Sequence, residues 1–135
     1  MIQRIQSLFL VIVFALTVTM ICTKMYTDFS TPDPYEAGWI SDLTSAIVLV
    51  VVAAVSLVTI FLFKKRMLHI RLCTLCSLAM LGEQIYIAVR FFTRPDTIVY
   101  AISAIFPLLC FILLTLSARA IAKDHALVLS ASRLR

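Results

Sequence analysis

Four apolar stretches, each near the length of a bilayer-crossing helix, leave few folds open to this chain. They run over about 5–23, 43–63, 72–92 and 97–121. A helix needs about 20 residues to cross the hydrocarbon core. Backbone N–H and C=O groups find no water there, so helices are the default, and the many alternating strands of a barrel are not visible. The second stretch contains Ala46-Ile-Val-Leu-Val-Val-Val-Ala-Ala54, whose β-branched residues suit a buried strand. Its length, with neither Gly nor Pro inside, favours a membrane helix. The expected fold is all-α: one polytopic membrane domain, a four-transmembrane-helix up-down bundle. A tail over 122–135 has apolar residues at helical spacing with basic ones between, the pattern of an amphipathic cytoplasmic segment.

Composition agrees. Of 135 residues 62% are hydrophobic and 14% charged, and mean hydropathy is +1.05, too apolar for a small soluble domain. The formal net charge of +5 raises the question of nucleic acid. No basic patch interleaved with aromatics and no zinc-finger spacing accompanies it, so no nucleic-acid partner is expected. The positive-inside rule explains the charge better. Nine basic residues, from Arg4 through Lys64, Lys65, Arg66, Arg71, Arg119, Lys123 and Arg133 to Arg135, fall on one face. Lys24, Arg90 and Arg94 fall on the other, where the first connection carries Asp28, Asp33, Glu36 and Asp42. Both termini are therefore expected in the cytoplasm, with the chain in a bacterial inner membrane. Arg4 followed by an apolar run resembles a signal peptide, but no small-x-small cleavage site follows, so an uncleaved first helix is expected. Tyr26, Tyr35, Trp39, Phe91, Phe92 and Tyr100 map to the outer face as an interfacial aromatic belt.

Few residues offer chemistry. Cys73-Thr-Leu-Cys76 has the spacing of a redox pair. Four-helix membrane enzymes that make disulfides are the comparison, but they act outside the cytoplasm, and this pair follows the basic inner connection, where thiols stay reduced. Two small apolar helix residues is the plainer reading. Glu83 and Gln84 lie near the middle of the third stretch, with Tyr86 one turn on and Arg90 two turns on. An ionisable side chain at membrane depth is a functional-site hypothesis by default; here it is either a proton-coupled site or hydrogen-bonding glue between helices. Small multidrug transporters also have four helices, but their carboxylate lies in the first, which has no acid here. Pro107 is expected to interrupt the fourth helix and free the carbonyl of Ser103. His69 and His125 read as interfacial residues rather than ligands. No triad, phosphate loop or dinucleotide fingerprint is present, and no catalytic residue, cofactor or metal is expected.

The ends of the chain carry a resemblance. The opening Met1-Ile-Gln-Arg-Ile-Gln6, the closing Ala122-Lys-Asp and Leu127-Val-Leu-Ser130-Ala-Ser-Arg-Leu-Arg135, and Arg71-Leu-Cys73 after a basic connection resemble DUF4293, a family of small bacterial membrane proteins of unknown function. The resemblance covers the whole chain and implies four helices in the same places. It implies no activity and no site residues. It turns attention to the two ends, where Arg4, Arg133 and Arg135 form either topogenic charge or a docking surface. The expected function is that of a non-enzymatic accessory or scaffold subunit of a membrane complex. Its expected partners are the lipid bilayer and a membrane protein or a second copy of the chain. A proton-coupled transporter using Glu83 and a thiol-disulfide oxidoreductase using Cys73 and Cys76 are the rivals.

Overall fold

A computed structural model describes residues 2–62, 64–93 and 96–133, with side chains from residue 4 onward. Its helices are α1 (Ile2–Cys22), α2 (Leu43–Phe61), α3 (Arg66–Thr93) and α4 (Phe106–Arg133). All four are long and apolar enough to cross a membrane. Each packs on two others: α1 on α2 and α4, and α3 on α2 and α4.

The buried positions follow one rule along α1, α2 and α4. They are Gln6, Leu10, Val13, Thr17 and Met20 in α1, and Ser45, Leu49, Val52, Ser56 and Thr59 in α2. In α4 they are Pro107, Cys110, Leu114, Ser117 and Ile121. Steps of three and four residues alternate, which is the heptad seam of helices packed lengthwise. Small and hydroxyl-bearing residues share this seam with Leu10, Met20, Leu49, Leu114 and Ile121, while other large apolar side chains such as Leu8, Ile47, Val50, Leu75, Leu78 and Ile85 point outward. Lipid solvates Leu as well as a protein core does, so helices in a membrane gain from close approach and hydrogen bonds rather than from burying Leu. Three buried hydroxyls bond back to their own backbone: Thr17 to Phe14 O at 2.8 Å, Thr59 to Val55 O at 2.5 Å and Ser77 to Thr74 O at 2.7 Å.

The chain is not all-α. Strands β1 (Lys24–Asp28), β2 (Tyr35–Gly38) and β3 (Ile98–Tyr100) form an antiparallel sheet in the order β2-β1-β3. The sheet ties the α1–α2 connection to the α3–α4 connection, pairing Tyr26 with Tyr100 and Asp28 with Ile98. Phe29 N to Thr97 O and Ala101 N to Met25 O, both 2.9 Å, extend this tie. Backbone that leaves the helices thus finds partners at once.

Three expectations change with it. The fourth apolar stretch does not begin as a helix at 97: it opens with β3, makes a 3-10 turn over Ile102–Ile105, and only then enters α4. Pro107 is accordingly the second residue of α4, where its missing N–H breaks no helical bond, and not a mid-helix interruption. Trp39 is no lipid-facing belt residue, since it is 0% exposed. Its indole N–H donates to Ser103 Oγ at 3.4 Å, and the Ser103 hydroxyl donates to Lys24 O at 2.7 Å.

At the other end α3 begins at Arg66, so Arg66 and Arg71 belong to a helix. α4 runs unbroken to Arg133, so positions 122–133 prolong it. Its 28 residues make a rod of about 42 Å, longer than the roughly 30 Å hydrocarbon core.

Candidate functional site

Two buried polar residues meet where the first turn of α2 packs on α3. Glu83 is 2% exposed and Ser45 is 0% exposed. The Ser45 hydroxyl donates to Glu83 Oε1 at 2.5 Å. Ser45 lies in the first turn of α2, at the start of its seam, and Glu83 belongs to the α3 series His69, Cys73, Cys76, Met80, Glu83, Ile87, beside which Ser77 is also buried. Helical spacing therefore aims both side chains into the same interface.

Nearer the sheet, a second group uses the next turns of α3. The Arg90 guanidinium is ion-paired with the Asp42 carboxylate. The Tyr86 hydroxyl lies 3.5 Å from Asp42 Oδ2 and 3.4 Å from an Arg90 nitrogen. Arg90 also stands over two rings, 5.5 Å from the Tyr86 centroid and 5.8 Å from that of Tyr26. Asp42 is the N-cap residue of α2, yet its side chain makes no capping bond. It is turned to Arg90 instead, while its negative charge still sits at the favourable end of the α2 dipole.

The structure thus brings Tyr86 and Arg90 together on Asp42, the N-cap of α2, and gives Glu83 a separate partner, Ser45. Gln84 is not part of this seam. It lines a cavity of about 350 Å³ with Ile87, Phe91, Tyr100 and Ala104, and its amide oxygen has no hydrogen-bond partner among the described residues. The sequence reading missed Asp42, Ser45 and Tyr26. Asp42 had a signal, an acid directly before an apolar run; Ser45 is one of many scattered hydroxyls and had none.

Cys73 and Cys76 are free thiols, 1% and 5% exposed, set one turn apart on α3. A thiol reacts as an accessible thiolate, and these two are packed in the seam. His69 is also buried, with Nε2 lacking a partner among the described residues. No three His, Cys, Asp or Glu side chains come together as metal ligands among the described residues. Arg4 and Arg133 are exposed, at the start of α1 and the end of α4. Arg135, Arg94 and the side chain of Gln3 lie outside the described residues.

No curated protein and no solved structure matches the chain. The model of one family, described as Domain of unknown function (DUF4293), matches residues 2–134, nearly the whole length. This match makes the chain a member of the DUF4293 family.

Proposed function

We propose that this protein is a non-enzymatic accessory or scaffold subunit of a membrane complex, an up-down bundle crossing a bacterial inner membrane four times. The basic connection between α2 and α3 and both termini then lie in the cytoplasm, as the positive-inside rule requires. One observation carries the reading: Glu83 accepts a hydrogen bond from Ser45 inside a helix interface and lines neither of the two cavities described here. A carboxyl group held this way acts as glue between helices. The Asp42–Arg90 pair extends the same seam to the sheet.

The rival with a specific observation behind it is proton-coupled transport. Glu83 is the one acidic residue buried at membrane depth among the described residues, and such residues often serve proton relays. Transport also needs an aqueous path to the carboxyl group, and neither described cavity includes Glu83 among its lining residues.

The test is gentle purification from cells that make the protein, with intact-complex mass measurement. A second polypeptide, or further copies of this chain, at a fixed ratio is the expected result. A single copy with no companion, both in native membranes after crosslinking and in mild detergent, would defeat the proposal.

A further inference from the structure

At the end of the molecule away from the sheet, a cavity of about 620 Å³ opens between the start of α3 and the distal part of α4. Four cationic side chains, Lys64, Lys65, Arg66 and Arg71, line it. His125 joins them from α4. The remaining wall is apolar, made by Met67, Leu68 and Val128.

The charges in this cavity are poorly compensated. Arg66 has a carboxylate partner, Asp124 at 3.8 Å. Lys64, Lys65 and Arg71 have none within ion-pair reach among the described residues. The first turn of α3 carries no acid, so the positive end of that helix dipole adds to the field. Clustering like charges in a concavity costs energy unless an anion occupies it.

Position and wall chemistry narrow the anion. The basic residues follow directly on the α2 span, which ends at Phe61, and precede the apolar part of α3. That is the depth of lipid headgroups. A soluble phosphate would have no use for a wall of Met67, Leu68 and Val128, whereas a phospholipid presents a phosphodiester next to hydrocarbon. Basic pockets between membrane helices hold acidic headgroups by this combination.

We propose that the cavity binds the phosphodiester headgroup of one anionic phospholipid, held by Lys64, Lys65 and Arg71. The inference rests on the membrane-spanning reading and is independent of the accessory role and of Glu83. Purely topogenic charge, the simpler alternative, would give no selective or saturable site.

The experiment reconstitutes the full-length protein in equal amounts of phosphatidylcholine and phosphatidylglycerol and releases it into a mass spectrometer with its bound lipid. Wild type should retain one phosphatidylglycerol in preference to phosphatidylcholine. The double variant K64Q/R71Q should lower that preference about thirtyfold, since each basic side chain contributes roughly 1 kcal/mol near an acidic surface. The variant R119Q/K123Q removes the same charge from α4 outside the cavity and should retain the lipid. Wild type without preference would overturn the proposal, and this arm needs no variant to fold. Equal loss in both double variants would also overturn it, since diffuse attraction would then suffice. Displacement of phosphatidylglycerol by millimolar inorganic phosphate would overturn the lipid assignment in favour of a soluble phosphate compound.

Discussion

Among single residues, Glu83 is where the proposed packing role is most easily tested. Its hydrogen bond to Ser45 joins α2 to α3, which the Arg90–Asp42 ion pair also links nearer the sheet. Glu83→Gln keeps a hydrogen-bonding group of nearly the same shape and should leave thermal stability in detergent unchanged. Glu83→Leu loses the bond and should lower stability by only about 0.6 kcal/mol, the average for hydrogen bonds between membrane helices. A loss of several kcal/mol in either variant, read from thermal unfolding followed by circular dichroism, would show that the group carries more than packing. Asp42 and Arg90 should behave differently, because removing one leaves the other as an unpaired charge. Asp42→Asn and Arg90→Gln should each destabilise. The double variant should cost less than the sum, with a coupling of about 1 kcal/mol for this partly exposed pair. The carboxyl of Glu83 was legible as a site because an acid within an apolar run stands out. Its partner was not: Ser45 becomes meaningful only once α2 is rotated into register with α3.

At the scale of elements, the apolar runs were legible and the connections were not. Run length marked four helices, since almost nothing else satisfies twenty apolar residues in a row. The sheet escaped notice because its strands are short and pair across long separations. Ile98-Val-Tyr100 continues an apolar run in the sequence, and only its partners Tyr26, Thr27 and Asp28 make it a strand. The misplaced start of the fourth helix then made Pro107 look like a kink. The helix seams were hidden for another reason. Where every face is apolar, hydrophobicity carries no period, and the buried stripe is marked instead by Ser45, Ser56, Thr59, Ser77 and Ser117. Trp39, the sole tryptophan, reports on the link between sheet and α4. Its fluorescence should be blue-shifted and poorly quenched by acrylamide. Ser103→Ala removes its hydrogen-bond partner together with the bond to Lys24 O, and should shift the emission to the red and raise quenching. An unchanged spectrum would mean that the sheet is held without this link.

For the molecule as a whole, burial decides which thiols can react. Cys73, Cys76 and Cys110 are at most 5% exposed, whereas Cys22 is exposed at the end of α1. A membrane-permeable maleimide should therefore label Cys22 in intact membranes and the other three only after denaturation. Rapid labelling of Cys73 or Cys76, or a disulfide between them after acid trapping, would restore the oxidoreductase alternative.

In the packing role proposed for Glu83, the carboxyl group holds helices together and moves no protons. Proton movement into vesicles tests it most directly. Purified protein would be placed in liposomes carrying an internal pH-sensitive dye, with a potassium diffusion potential to drive protons inward. Wild type, Glu83→Gln and protein-free liposomes should all acidify at the same rate. Faster acidification by wild type that Glu83→Gln abolishes, with both proteins folded and equally incorporated, would contradict the structural role and make Glu83 a proton-carrying site.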